Sequence, residues 1–354
     1  MSGTREFAGP SCRAQPGARQ VMSRVGNTPV ASIAMRIGGR RRIVFLKLEG
    51  ANRCGSLKDR TAAGLVDDLE RRGALGPGSI LLESTSGNLG VALAFLARRL
   101  GYGFVAVVDP RTVPENVSRM RRLGARIELV DTPDETGGYL LSRLERVREL
   151  RGLSQAFVWP DQYSNPANPR VHEEGTGPEL LEQLPAGVDA LFVPVSTGGT
   201  LAGLGRCFRR ESPRTLIVAV DAAGSVALGG EPGPRLLTGI GASRASSFLS
   251  ADLYDRCVLV GDAEAFAFCR ALAAETGLSV GGSSGATLAA CARALADDPD
   301  LEQVVCICAD RGWSYASTIY DDAWLARNQV DLDAIDTAPI ELLARAGSPS
   351  AALA

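Results

Sequence analysis

From residue 43 onward, short β-branched runs alternate with longer stretches of helical period, and this alternation limits the fold more than any other feature of the chain. Residues 43–48, 79–83, 104–108, 126–130, 190–195, 215–221, 257–260 and 303–309 read as strands. Residues 58–72, 88–100, 114–123, 138–150, 200–210, 263–275 and 284–295 read as helices. Continuous apolar strands linked by helices mean parallel sheets covered on both faces, an α/β architecture. Ligands of open parallel sheets bind beyond the carboxyl ends of the strands, so function is sought in the loops that follow strands. No repeat of solenoid period is visible. After Trp324 the pattern fades, and 326–354 reads as a C-terminal tail; the polar, glycine- and proline-bearing residues 1–20 read as a flexible N-terminal tail.

Bulk properties exclude several classes. A chain of 354 residues is long enough for one large α/β unit or two intimate lobes. A formal net charge of -2 leaves no domain-wide basic excess for nucleic acid, and no apolar run approaches the length of a membrane span. The N-terminus lacks the apolar stretch of a secretion signal, so a cytoplasmic location is expected. The eight cysteines contain no C-x-x-C pair, a reducing-compartment pattern. Cys306 and Cys308 alternate inside Val304-Val305-Cys306-Ile307-Cys308-Ala309 and read as small hydrophobes on one strand face. His172 is the only histidine, which nearly excludes zinc sites built on His ligands, and no metal is expected.

Four segments carry the chemistry. In Asn52-Arg53-Cys54-Gly55-Ser56-Leu57-Lys58-Asp59, a lysine stands at a helix start, where the dipole disfavours a cation. Either it snorkels to water or its amine is wanted there. Glu83-Ser84-Thr85-Ser86-Gly87-Asn88-Leu89-Gly90 joins a strand to a helix with more donors than a single N-cap needs, a pocket for a carboxylate or phosphate. Val195-Ser196-Thr197-Gly198-Gly199-Thr200 does the same with two glycines that let backbone N–H groups approach an oxyanion. It has neither the lysine of a Walker A loop nor Rossmann spacing, so a metal-free phosphate monoester fits better. Val280-Gly281-Gly282-Ser283-Ser284-Gly285-Ala286 is a further helix start, weak when taken alone. A lysine amine, a phosphate cradle and a carboxylate cradle together are what pyridoxal phosphate chemistry requires.

At these residues the chain resembles the fold-type II pyridoxal phosphate enzymes of the cysteine synthase and cystathionine β-synthase group. The likeness runs from about Gly26 to Trp324 and includes Gly26-Asn27-Thr28-Pro29, the Lys58 segment, Thr85-Ser86-Gly87-Asn88, Gln162, Asn165-Pro166-Ala167-Asn168-Pro169, Thr176-Gly177-Pro178-Glu179, Thr197-Gly198-Gly199-Thr200 and Gly282-Ser283-Ser284-Gly285. The resemblance implies two α/β lobes: a large cofactor-binding one from 21–54 plus 159–325, and a smaller mobile one, 55–158, that closes over substrate. It implies a homodimer acting on small amino acids. Lys58 takes the place of the Schiff-base lysine and of the base for the α-proton. Asn88 is expected on the ring hydroxyl of the cofactor, and Ser196, Thr197, Gly198, Gly199 and Thr200 on its phosphate. Ser283 is expected on the pyridine nitrogen, which a serine does not keep protonated. Thr85, Ser86, Gly87 and Gln162 are expected on the substrate carboxylate.

Several segments depart from a plain cysteine synthase: Val108-Asp109-Pro110-Arg111, Asp134 to Leu140 with Arg143, Trp159-Pro160-Asp161-Gln162-Tyr163, Ser196 in place of a usual glycine, and Gly241-Ala242-Ser243-Arg244. They look like the branch that joins O-phospho-L-serine to L-glutamate, giving N-(2-amino-2-carboxyethyl)-L-glutamate, a precursor of L-2,3-diaminopropionate for siderophores and peptide antibiotics. A phosphate leaving group and a dicarboxylate nucleophile call for extra arginines. Arg143, four residues after Tyr139, is the candidate for the substrate phosphate, supported by Tyr163. Arg244, and more weakly Arg53, are candidates for the incoming glutamate, with surface solvation as the plain alternative for each. The rival function is a cysteine synthase using O-acetylserine or O-phosphoserine and sulfide.

Overall fold

The computed structural model describes residues 25–135 and 138–346. The expected tail at 1–20 and the last residues, 347–354, lie outside them. The described chain divides into two compact units, one of residues 65–160 and one of 25–64 with 161–346.

Two antiparallel strands, β1 (Val30–Ile37) and β2 (Arg40–Leu48), open the second unit, and helix α1 (Lys58–Arg71) runs from it into the first. The first unit then follows the pattern read from sequence: β3 (Ile80–Ser84), α2 (Asn88–Leu100), β4 (Gly103–Val108), α3 (Pro114–Arg122), β5 (Arg126–Leu129), α4 (Leu140–Leu153) and β6 (Phe157–Val158). Its sheet, in the order β5-β4-β3-β6, is parallel throughout. Helix α4 buries Val147 and Leu150 against Leu82, Val105 and Val107 of the central strands.

The chain returns with α5 (Ala167–Val171), a turn of π-helix (His172–Thr176) and α6 (Gly177–Gln183). There follow β7 (Ala190–Pro194), α7 (Gly199–Glu211), β8 (Leu216–Ala222), β9 (Arg256–Val260), α8 (Asp262–Thr276), α9 (Gly282–Asp297), β10 (Val304–Cys308), α10 (Asp322–Arg327) and β11 (Ile340–Ala346). The seven strands are ordered β11-β1-β2-β10-β7-β8-β9, with β2-β10-β7-β8-β9 parallel. Both faces are covered. Val304, Cys306 and Cys308 pack with Phe266 and Leu272 of α8 and Leu288 and Leu295 of α9. Val305 and Ile307, pointing the other way, pack with Leu180 of α6 and Leu201, Leu204 and Phe208 of α7. The alternating cysteines are therefore core residues, and every described cysteine is a free thiol.

The structure corrects the reading of 326–354 as a tail: β11 pairs antiparallel with β1 from Val30↔Ala346 to Met35↔Ile340. Both strands escaped the pattern because β11 pairs with a strand remote in sequence and β1 joins the antiparallel margin through its hairpin with β2, outside the βα alternation. Among the described residues no helix is long and apolar enough to cross a membrane.

Candidate active site

Central strand β10 organises the larger unit's site. Just past its carboxyl end, Leu57 N donates to Ala309 O at 2.7 Å, Arg311 N donates to Gly55 O at 3.2 Å, and Ser56 bridges to Asp310. These bonds pin the segment that leads into α1 and so place Lys58, its first residue. On the other side of the same strand end, Val280 bridges to Arg311 and Gly281 N donates to Asp310 O at 3.3 Å, which positions the start of α9 and the buried Ser283. The loop after neighbouring β7 carries residues 196–200. The lysine, the glycine loop and Ser283 thus come together at one edge of the sheet, as the rule for parallel sheets requires.

Lys58 is part-buried, and loss of solvent lowers its ammonium from 10.5 to about 8. An amine in that state is a usable nucleophile and base near neutrality. Behind it, Arg60 makes a two-pronged pair with Glu49 (Nε–Oε2 2.7 Å, Nη2–Oε1 2.8 Å) and reaches Glu179 at 2.9 Å. Glu179 also accepts from the N–H groups of Asn27 and Thr28 and from the fully buried Lys47. Burial works against each charge. For Arg60 the two carboxylates more than offset it, and for Glu179 the Arg60 and Lys47 charges hold the carboxyl down to about 2. Lys47 stays below its ordinary value because burial outweighs its partners. This cluster joins the 26–28 turn, β2, α1 and α6, and so fixes the helix that begins with Lys58.

The glycines of the 196–200 loop are required by space. Gly198 has φ +89°, and a Cβ there would lie 2.1 Å from Ser246 Oγ; one on Gly199 would lie 2.2 Å from Asn168 Oδ1. Ser246 Oγ donates to Thr197 O at 2.7 Å, Ser196 Oγ donates to Gly241 O at 3.1 Å, and Asn168 Nδ2 donates to Thr197 Oγ1 at 3.3 Å and to Gln162 O at 2.7 Å. Thr197 and Thr200 are buried, as is Gln162.

Sequence reasoning missed the contribution of His172. It is fully buried, with Nε2 3.2 Å from Thr61 Oγ1 and 3.4 Å from Thr200 Oγ1, and Nδ1 3.0 Å from Thr176 Oγ1. It connects the first turn of α1 to the first turn of α7. Burial, with the Lys58 and Arg60 charges, holds its imidazole well below the ordinary range, so it is neutral. Its singularity in the sequence was the available signal. Asn168 was legible only as part of a motif.

Arg244 lies over the ring of Tyr163, 5.6 Å from its centroid, and Ser247 Oγ donates to Tyr163 O at 2.5 Å. Arg53 is exposed.

In the smaller unit, Thr85 is buried and Ser86, Gly87 and Asn88 are part-buried at the mouth of α2. Thr85 N donates to Val107 O at 3.0 Å, which ties this loop to the end of β4. Gly90 lies beneath it, where a Cβ would meet Met120 Sδ at 2.5 Å and Thr85 Cγ2 at 2.9 Å. Arg143 of α4 is 8% exposed and forms an ion pair with Asp109 at 3.3 Å, and neither its Nε nor its Nη1 has a hydrogen-bond partner among the described residues. A buried guanidinium in that state is suited to an anion. Of the expected site, Lys58, Gln162, Tyr163, residues 196–200, Arg244 and Ser283 belong to one unit, and Thr85, Ser86, Gly87, Asn88 and Arg143 to the other.

A low-pKa amine beside a loop that admits no side chain fits a group bearing both a phosphate and an amine-reactive carbonyl. Comparison with known proteins agrees. A family model described as "Pyridoxal-phosphate dependent enzyme" matches residues 21–310. A protein of Ralstonia nicotianae named N-(2-amino-2-carboxyethyl)-L-glutamate synthase is 43% identical over 310 residues, covering 88% of this chain and 92% of its own. One of the same name from Cupriavidus metallidurans is 42% identical over 310 residues, covering 87% and 91%. Among solved structures, O-ureido-L-serine synthase superposes with a TM-score of 0.77 at 30% identity, over 89% of this chain and 100% of its own. The O-acetylserine dependent cystathionine beta-synthase of Helicobacter pylori does so with 0.77 at 30%, over 85% and 98%.

Proposed function

Because the chain belongs to the family of pyridoxal-phosphate dependent enzymes, we propose that it joins O-phospho-L-serine and L-glutamate by β-replacement. The Cβ–O bond of phosphoserine breaks, phosphate leaves, and the glutamate nitrogen bonds to Cβ, giving N-(2-amino-2-carboxyethyl)-L-glutamate on the way to L-2,3-diaminopropionate. The observation that carries this reading is the likeness, across nearly the whole chain, to two relatives named for that product at 42–43% identity. The buried Arg143, whose Nη1 has no hydrogen-bond partner among the described residues, supports it, because a phosphate leaving group needs such a donor and an acetyl group does not.

When bound, pyridoxal phosphate supplies the electron sink that makes the substrate α-proton acidic and the β-substituent able to leave. Lys58 Nζ holds the cofactor and, once released, takes the proton from the substrate Cα; with its ammonium near 8, a useful share is neutral at working pH. Ser196, Thr197, Gly198, Gly199 and Thr200 hold the cofactor phosphate, Asn88 its ring hydroxyl and Ser283 its ring nitrogen. Thr85, Ser86, Gly87 and Gln162 orient the substrate carboxylate. Arg143 and Tyr163 receive the leaving phosphate, and Arg244 the incoming glutamate. His172 and the Arg60 cluster stay out of the chemistry and keep Lys58 in place. On the same proposal the enzyme is a cytoplasmic homodimer, and molar mass from light scattering would check the pairing of subunits.

The test adds O-phosphoserine with either L-glutamate or sulfide to the holoenzyme. Phosphate release together with a product of the coupled mass only with glutamate supports the reading. Cysteine formation from sulfide, with glutamate ignored, returns the protein to the cysteine synthases.

A further inference from the structure

The sequence Val108-Asp109-Pro110-Arg111 departs from the cysteine synthase pattern, and the chemistry above gives its carboxylate no task. In the structure Asp109 is buried directly after β4. Its Oδ1 accepts from Arg111 N at 2.8 Å, and its own N–H donates to Thr112 Oγ1 at 3.2 Å. The carboxylate is thus fixed by its own turn. Its Oδ2 then lies 3.3 Å from Arg143 Nε, an ion pair in which neither Nε nor Nη1 is hydrogen-bonded among the described residues. Strand β4 runs beside β3, with Ser84 opposite Val107, so this pair stands next to the loop of Thr85, Ser86 and Gly87.

We propose that Asp109 is a positioning residue: its charge, paired with the Nε side of Arg143, orients the guanidinium, leaves Nη1 for the leaving group, and thereby sets the preference for a phosphorylated over an acetylated substrate. The inference rests on the proposed use of phosphoserine. Its physical basis is that a long side chain held at one side loses little further freedom when an anion binds. The Arg143 guanidinium gives a phosphate dianion a charge-assisted bond that a neutral ester does not gain.

Asp109→Asn keeps an oxygen for Arg111 N and removes the charge. Steady-state kinetics of the holoenzyme compare phosphoserine with O-acetylserine in wild type, Asp109→Asn, Arg143→Gln and the double variant. For Asp109→Asn the KM for phosphoserine is expected to rise about tenfold with kcat little changed, while kcat/KM for acetylserine stays within about threefold. The double variant should be no worse than Arg143→Gln, because Asp109 acts through Arg143. Equal losses on both substrates, or a double variant clearly worse than Arg143→Gln, overturn the proposal. Should Asp109→Asn not fold, Arg143→Lys, which keeps the charge without the Nε side, must show the same selective loss, and an unchanged preference there overturns it too. A wild type that ignores phosphoserine but uses acetylserine overturns the functional reading itself, and the wild-type measurements alone reveal that case.

Discussion

Lys58 offers the sharpest check, because its reactivity follows from one number. With its ammonium near 8 rather than 10.5, roughly a tenth of the amine is neutral at pH 7, against roughly one part in 3,000 for an ordinary lysine, a gain of about 300-fold. The cause is loss of solvent, and the N-terminal position on α1 pushes the same way. The perturbation is pH itself, applied to the cofactor-free protein. The assay is brief acetylation, with the Lys58 peptide followed by mass spectrometry and an exposed lysine peptide as reference. The Lys58 rate should rise tenfold per pH unit below pH 7 and level off about a unit above 8. A profile still climbing at pH 10 would refute the reasoning and leave Lys58 an ordinary solvated amine.

Replacing Glu179 with Gln strands Arg60 and Lys47 in a buried site and is expected to cost about 3–5 kcal/mol in urea unfolding. In wild type, the displacement of this carboxyl from 4.5 to about 2 corresponds to about 3 kcal/mol, fully present above 4.5 and lost as pH falls towards 2; acid titration of stability should show that loss, and the Gln variant should not. Gly199→Ala must push Asn168 aside and should weaken pyridoxal phosphate binding at least tenfold in equilibrium dialysis, with less effect on the melting temperature of the cofactor-free protein. His172→Phe removes the connection between Thr61 and Thr200 and should lower cofactor affinity; because the imidazole is already neutral, the pH profile of turnover between 6 and 8 should keep its shape.

Much of the fold was legible because its signals are local. The start of α2 at Asn88 and the β7–loop–α7 unit around Gly198 and Gly199 are written in contiguous residues, where apolar period and helix-entry chemistry coincide. The margin of the large sheet was not. Strand β11 finds its partner β1 some 300 residues away, and β1 belongs to a β1–β2 hairpin rather than to a βα unit. The 196–200 loop was recognisable by composition; Lys58 left two readings open when taken alone, and Ser283 and Asn168 entered only through the family resemblance.

The sequence alone determined the alternating α/β architecture, the lysine at a helix start and the donor loops after strands, since each depends on neighbours within a few residues. Only the tertiary structure decided which charges survive burial. Arg60 meets Glu179 at a sequence separation of 119, His172 meets Thr61 at 111, and Asp109 meets Arg143 at 34. The lowering of Lys58 belongs to the same class, because desolvation measures everything packed around an atom and no stretch of chain encodes it by itself.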